Sequence, residues 1–214
     1  MALLCSGKRL AKINRNVHST ACSHLTKVDP VLRRIIARVG PCTLRPRRQY
    51  FATLCDSIIS QQLSTKVAEV ISNRFVTLYA QRRPAPRAVA RPAAHQLRAA
   101  ALSGQKAKYL KDLAAGFLEG RIQPSRFARL SNEEIIAALV SLRGVGRWTT
   151  EMFLIFSLNR PNVLPVNNLG IKKAIRRWYG LRALPAAATI RKIGKPWNPY
   201  ESIASWYLWK SLQL

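Results

Sequence analysis

The chain has 214 residues, 48% of them hydrophobic, so it is long enough for one substantial core and does not require two independent domains. Lys and Arg number 36 against nine Asp and Glu, which gives a formal net charge of +27. Such a surplus favours a polyanionic partner, and nucleic acid is the most common one. No apolar run reaches the roughly 18 residues that a membrane-spanning helix needs, so we expect no membrane partner.

The cysteines are widely spaced in the first quarter of the chain and form no pair of zinc or iron–sulfur ligands. We therefore expect no metal site, and reduced thiols in an intracellular protein. Residues 1–28 are basic, contain several Ser and Thr and lack acidic residues, a composition typical of an organelle transit peptide or of a disordered arm. Because the whole chain is basic, we favour a flexible basic arm over residues 1–28 and one folded domain over residues 29–214.

Helical periodicity and capping signals predict the elements of the first half of this domain. Asp29-Pro30 begins a helix that Gly40 ends, and further helices are predicted over 50–59 and after Ser64. The helix after Ser64 is expected to place its apolar side chains on one face: Val67, Val70, Ile71, Phe75 and Leu78. The predicted elements that follow are a surface loop over 81–92 and helices over 96–102 and 105–117.

The second half is also predicted to be helical. Ser131 and Glu134 form a capping box that opens a helix, and a second apolar helix runs over 149–158. Two more helices are predicted over 169–179 and 200–212. No run of alternating strand pattern occurs, so the sequence predicts an all-α fold.

The segment Arg143-Gly144-Val145-Gly146-Arg147 is the most informative local feature. It is too short for anything but a tight hairpin between two helices, and its glycines leave backbone amides uncovered at a helix N-terminus. The two arginines would add charge, and the contact would be to phosphates and blind to base sequence. The alternative is a plain helical turn, because Gly-x-Gly alone is common in turns. The flanking helices and the charge of +27 favour phosphate binding by all five residues.

Several segments resemble one known family. Residues 142–149 (LRGVGRWT) resemble the hairpin signature of helix-hairpin-helix DNA glycosylases, and residues 163–170 (VLPVNNLG) resemble the catalytic segment of their alkylpurine branch, the DNA-3-methyladenine glycosylase II group. Residues 58–64 (IISQQLS) are similar to the family's DNA-wedge loop, and residues 197–209 are similar to its final helix. The resemblance runs in order from residue 29 to the end. It implies a two-lobed, all-helical helix-hairpin-helix DNA glycosylase fold without an additional N-terminal β-domain.

One departure from the family pattern concerns the catalytic position. The family has two aspartates where this chain has Asn167 and Asn168, and the second is the carboxylate that stabilises the oxocarbenium-like sugar and positions the attacking water. Asn168 has nearly the same shape but no charge, which predicts impaired catalysis. The alternative is that Asn168 serves as a helix N-cap, a position that asparagine favours. Asn167 is implied to have a supporting role.

The resemblance also implies a pocket for a base that is rotated out of the duplex. Trp148, Met152 and Tyr200 match positions that line it, and electron-rich rings suit a cationic alkylated purine. The alternative for Trp148 and Tyr200 is that they are core residues. For Trp206 and Trp209 we expect a place in the core. Gln62 matches the wedge residue, whose side chain fills the gap that the extruded base leaves in the duplex, and Gln61 is implied to have a supporting role. The alternative is that Gln62 is simply a polar residue of a turn.

Three functions are therefore compared. The first is a base-excision repair enzyme that hydrolyses the N-glycosidic bond of alkylated purines such as 3-methyladenine, without a cofactor. Because the stretch before the catalytic position holds Arg143, Arg147 and Arg160 but no Lys, the resemblance implies a monofunctional enzyme. The second is a non-catalytic DNA- or lesion-binding protein, and the third is a general basic protein that binds RNA. We expect a monomer that binds double-stranded DNA with alkylated bases in the bacterial cytoplasm, a nucleus or an organelle.

Overall fold

The computed structural model describes residues 17–91 and 94–214, and all regular secondary structure in these ranges is helical. The predicted all-α class is confirmed. The described chain divides into two compact units: unit 1 comprises residues 17–46 and Asn159–Leu214, and unit 2 comprises the described part of Arg47–Leu158. None of the helices in the described ranges is long and apolar enough to cross a membrane.

Unit 1 contains five α-helices within its described residues. They are α1 (17–28), α2 (Pro30–Val39), α10 (Leu169–Trp178), α11 (Ala187–Gly194) and α12 (Glu201–Ser211). A buried carboxylate, that of Asp29, caps α2 by accepting from the backbone N–H groups of Val31 and Leu32. The second oxygen of Asp29 accepts from the Tyr179 hydroxyl at 2.6 Å and from the Trp197 indole at 2.8 Å. This buried acid is therefore fully hydrogen-bonded, as burial of a charge requires.

Helix α1 corrects the predicted boundary at residue 29. Residues 17–28 are helical, and the side chains of Ala21 and Leu25 are completely buried. This stretch is part of the fold of unit 1 because its apolar residues recur at helical spacing and are covered, although the basic composition around them is typical of an arm. The remainder of the predicted arm lies outside the described residues.

Unit 2 holds the other helices of the described chain. They are α3 (Tyr50–Ser60), α4 (Thr65–Thr77), α5 (Pro86–Ala90), α6 (Ala94–Arg98), α7 (Gly104–Leu118), α8 (Asn132–Val140) and α9 (Arg147–Phe156). Its core includes the rings of Tyr50, Phe127 and Phe153, which contact one another edge to face with centroids 5.7 to 5.8 Å apart. The capping box of Ser131 and Glu134 is present at the start of α8.

Two details of unit 2 differ from the sequence-based expectation. The predicted loop over 81–92 contains the short helix α5, whose Val89 is completely buried. On α4, Phe75 and Ala68 are buried, whereas Val67, Val70 and the C-cap residue Leu78 keep 45 to 46% of their surface exposed. Periodicity identifies side chains that share a face of a helix, but only packing decides which part of that face is covered.

Candidate functional site

The hairpin between α8 and α9 uses its two glycines for different purposes. Gly144 has a φ of +80°, and a Cβ at this position would overlap the ring of Tyr109, so both backbone conformation and space require glycine. Gly146 has an ordinary extended backbone, and a Cβ there would meet nothing within 4 Å. Val145 between them is buried and fixes the turn to unit 2.

Gly146 is the N-cap of α9 and offers no side chain to the first turn of that helix. The amides of such a turn point outward without an intrahelical partner, which makes an anion site. Two amides before this turn are occupied: Arg143 N–H donates to Asp112 Oδ2 at 2.7 Å, and Val145 N–H donates to the Leu142 carbonyl at 3.2 Å. These two amides are therefore not available to an anion, whereas the first turn of α9 has no side-chain cap.

The two arginines that flank the hairpin differ in their ion pairing. The Arg147 guanidinium donates two hydrogen bonds to the Glu133 carboxylate, at 3.0 and 2.6 Å, and contacts Glu151 at 3.3 Å. Hydrogen bonding to Arg147 lowers the pKa of Glu133, whereas burial raises the pKa of Glu151 in spite of the same neighbour. Within the described chain, the Arg143 side chain has no ion pair. Arg143 therefore offers its charge more readily than Arg147, and phosphate binding by either remains a prediction.

The loop between α3 and α4 carries the predicted wedge and is anchored by Lys106 of α7. The Lys106 ammonium donates to the carbonyls of Ile59 and Gln61, at 2.6 and 2.9 Å, and partial burial lowers its pKa. The Gln61 amide in turn donates to the Gly144 carbonyl at 2.7 Å. Gln62 follows with an exposed side chain and a φ of 58°, a conformation rare for a non-glycine residue. The wedge loop and the hairpin are thus tied directly together.

An open cleft of about 770 Å³ in unit 2 unites these features, because it is lined by the wedge loop, the hairpin and the start of α9. Gln62 and Trp148 both line it. Trp148 is 52% exposed, which is not the environment of a core residue. Met152, one turn further along α9, is half-buried and does not line this cleft. The assignment of Trp148 and Met152 to a base pocket remains a prediction.

Asn168 lies in unit 1 as the N-cap of α10. Its Oδ1 accepts from the Ile171 N–H and from the Trp209 indole N–H, both at 3.0 Å. Since both partners are donors, the oxygen of the amide must face them. Gly170 leaves the room for this arrangement, because a Cβ there would lie within 3.0 to 3.1 Å of Trp209 and of Asn168 Oδ1. The predicted N-cap is present, and Asn167 beside it is exposed.

Tyr200 also lies in unit 1, at the N-cap position of α12. Its ring is half-buried and meets the His24 ring edge to face with centroids 5.4 Å apart. Trp206 is buried, as expected, but Trp209 is only half-buried and holds Asn168. The structure thus groups Tyr200 and Asn168 in unit 1, and the hairpin, wedge and Trp148 in unit 2.

Three supporting residues were missed from the sequence: Lys106, Asp112 and Trp209. Each acts on a backbone group or side chain far away in the sequence, 31 to 47 positions distant. Only the indole of Trp209 gave a signal, because the N–H of a Trp that is at least partly buried usually has an acceptor. Nothing in the sequence indicates which acceptor that is.

Comparison with known proteins assigns the family. Residues 55–199 match the HhH-GPD superfamily of base excision DNA repair proteins. DNA-3-methyladenine glycosylase 1 of Schizosaccharomyces pombe is 35% identical over 89% of this chain and 86% of the relative, and an alkylbase DNA glycosidase-like protein of the same yeast is 30% identical over 90% and 93%.

Solved structures agree. The S. pombe 3-methyladenine DNA glycosylase in complex with abasic DNA matches with a TM-score of 0.80 and 35% identity, over 91% of this chain and 97% of that one. A DNA-3-methyladenine glycosidase from Bacillus halodurans also has a TM-score of 0.80, at 31% identity over 88% and 86%. The chain belongs to the HhH-GPD superfamily of base excision DNA repair proteins, among relatives named DNA-3-methyladenine glycosylases.

Proposed function

We propose that this chain is a monofunctional DNA glycosylase that hydrolyses the N-glycosidic bond of alkylated purines of the 3-methyladenine type in duplex DNA. The observation that carries this proposal is the cleft of unit 2, where the uncapped start of α9, the exposed Gln62 and the half-exposed Trp148 line one surface. Amide donors for a phosphate, a wedge and an exposed ring are the parts that an enzyme needs to extrude a base. The names of the relatives support the same substrate class.

In the proposed reaction, the bond between the sugar C1′ and the purine nitrogen breaks, and the base leaves with the bonding electrons. A cationic alkylated base departs as a neutral molecule, and water adds to C1′ of the oxocarbenium-like sugar and loses a proton. Gln62 fills the gap in the duplex, while the exposed ring of Trp148 contacts the extruded base. No Lys replaces water as nucleophile in the stretch before Asn168, so the product is an uncleaved abasic site.

Asn168 limits the rate in this proposal. A carboxylate about 4 Å from a full cation, at an effective dielectric near 20, stabilises it by about 4 kcal/mol. Loss of that charge corresponds to roughly a thousandfold in rate. The Asn168 oxygen already accepts from Ile171 and Trp209, and a neutral amide gives it little basicity for water. Cationic bases leave readily even so, and we propose slow excision of them and none of neutral bases.

Single-turnover excision by the unmodified chain tests this proposal. Duplexes with a single 7-methylguanine and matched duplexes with a single hypoxanthine would be incubated with excess protein, and free base would be measured by chromatography. We expect slow release of 7-methylguanine above the spontaneous rate and no release of hypoxanthine. Strand breaks should form only after alkali. No release of 7-methylguanine above background would contradict catalysis by this chain.

A second candidate is a protein that binds alkylated DNA without excision, which the amide at position 168 favours. It predicts tighter binding to 7-methylguanine duplex than to undamaged duplex, with no base release. In either case we propose a monomer that acts in the DNA-containing compartment of its cell.

A further inference from the structure

A second cleft in unit 2 lies beside the hairpin and has a volume of about 710 Å³. Its walls are the last residue of α6, the first turns of α7 and the beginning of the hairpin, and its lining residues are Arg98, Gly104, Gln105, Lys108, Tyr109 and Arg143. Tyr109 and Arg143 also line the hairpin cleft. The two clefts therefore share a wall. We name this one the Arg98 cleft.

The Arg98 cleft is lined by three cations and by no carboxylate. Arg98, Lys108 and Arg143 come from three different segments and are all exposed. In the part of the chain that the structure describes, none of the three forms an ion pair, whereas Arg121 and Arg147 of the same unit are each bonded to two carboxylates. Cations that face one cleft repel each other, and a bound anion relieves that repulsion.

Asp112 shows why this charge stays uncompensated. It follows Lys108 by four positions on α7, the spacing at which opposite charges commonly pair on a helix. Its Oδ1 instead accepts from Arg121 at 3.2 Å, and its Oδ2 accepts from the Arg143 N–H at 2.7 Å. The acid therefore fixes the backbone of Arg143 without binding its guanidinium. The side chains of Arg143 and Lys108 remain free for an external anion.

Neutral donors supplement the cations. The Tyr109 hydroxyl accepts from the Gln105 amide at 2.6 Å, so its own proton is available to an acceptor in the cleft. The half-buried ring of Tyr109 packs on Gly144, which holds the hydroxyl in a fixed position relative to the hairpin. A tetrahedral anion with several oxygens would use the phenol proton and the cations together.

We propose that the Arg98 cleft binds a backbone phosphate of duplex DNA, next to the phosphate held at the start of α9. This inference rests on the proposed function only in taking duplex DNA as the polyanion. The contact is to backbone and is blind to base sequence. It extends the DNA contact of unit 2 from the hairpin to α6 and α7, and it assigns a role to Lys108 and Arg98 that the family resemblance did not indicate.

The test compares two charge-matched double variants on undamaged duplex. Arg98→Gln with Lys108→Gln removes two cations of the cleft, and Arg87→Gln with Arg129→Gln removes two exposed cations of unit 2 that do not line it. We expect the cleft variant to make the slope of log affinity against log salt shallower by about 0.9, the value for one phosphate contact. Its affinity deficit relative to the unmodified chain should then shrink about three- to fourfold between about 50 and 200 mM salt. The control variant should leave the slope close to that of the unmodified chain.

Equal slope changes in both variants would overturn the proposal, because they would mean that only net charge matters. A second measurement uses the unmodified chain and duplexes in which one phosphate at a time is an uncharged methylphosphonate. At one phosphate position, the methylphosphonate should weaken binding by the unmodified chain but not binding by the cleft variant. This is the coupling expected when the phosphate and the cleft cations form a shared contact. Absence of such a position would also overturn the proposal. Undamaged DNA is the ligand throughout, so a failure of excision would not affect the outcome.

Discussion

Serine in place of Gly146 separates the stability of the hairpin from its function. The backbone of Gly146 has the extended conformation of an N-cap, and there is open space around a Cβ. A serine Oγ would accept from the N–H of Trp148 or Thr149, the amides that we assign to a phosphate. Helix α9 should gain a few tenths of a kcal/mol, because Ser is a slightly better N-cap than Gly. The complex with DNA should lose a charge-assisted hydrogen bond worth about 1 to 2 kcal/mol, which lowers the affinity for duplex about five- to thirtyfold.

The assay is a salt titration of binding to undamaged duplex, together with thermal unfolding. For Gly146→Ser we expect an unchanged or slightly raised melting temperature and weaker binding with little change in salt slope, because the amides it occupies carry no formal charge. Gly146→Ala is the control, because it adds a Cβ but no acceptor. If Gly146→Ser binds duplex with the affinity of the unmodified chain, the start of α9 does not hold a phosphate and our assignment of the hairpin is wrong.

Three further variants test the hairpin glycines, the anchor of the wedge loop and the ring of Tyr200. Gly144→Ala should lower the unfolding free energy in urea by at least about 2 kcal/mol, because Gly144 has a positive φ and a Cβ there would overlap the Tyr109 ring. Gly146→Ala should lower it by less than about 1 kcal/mol. Equal losses of unfolding free energy would contradict the distinction between the two glycines. Lys106→Met should lower the unfolding free energy by about 1 to 2 kcal/mol, because the carbonyls of Ile59 and Gln61 lose a charged donor. It should also reduce the fluorescence increase of a 2-aminopurine placed beside the lesion, which reports unstacking of the duplex. Unchanged fluorescence would show that Lys106 does not support the wedge. Tyr200→Ala should reduce discrimination between 7-methylguanine and guanine by about 1 to 3 kcal/mol in competition binding, whereas a lower melting temperature alone would make Tyr200 a core residue.

The sequence predicted most helices because their boundaries carry local signals. Asp29-Pro30 and Gly40 bound α2, and Ser131 with Glu134 opens α8, since each of these residues satisfies or ends a helix terminus by itself. Helix α1 was obscured by basic composition, and α5 by its Pro and Arg content. Helix α11 begins at Ala187 without a side-chain cap, so no boundary signal marked it. The exposed face of α4 depends on tertiary packing, which no local pattern contains.

The sequence predicts those features of the site that depend on a residue's own backbone conformation or on its place at a helix end. The conformation of Gly144 and the N-cap of Asn168 follow from the residues themselves. The neutralisation of Arg147 by Glu133 and the anchoring of the wedge loop by Lys106 join positions 14 to 47 residues apart, and depend on how the helices pack. The family resemblance indicated candidate site residues but not these supporting contacts.

We propose that the chain is an alkylpurine glycosylase that lacks only the charge at position 168. Asn168→Asp tests it most directly, because the hydrogen bonds from Ile171 and Trp209 both go to Oδ1 and a carboxylate would retain them. In single-turnover assays on a 7-methylguanine duplex, we expect excision to rise by two to four decades, from about 4 kcal/mol of charge stabilisation. Asn167→Asp, at the neighbouring exposed residue, should do much less. If Asn168→Asp folds and binds DNA normally but releases no base above background, the chain is a glycosylase-like DNA-binding protein and not an enzyme.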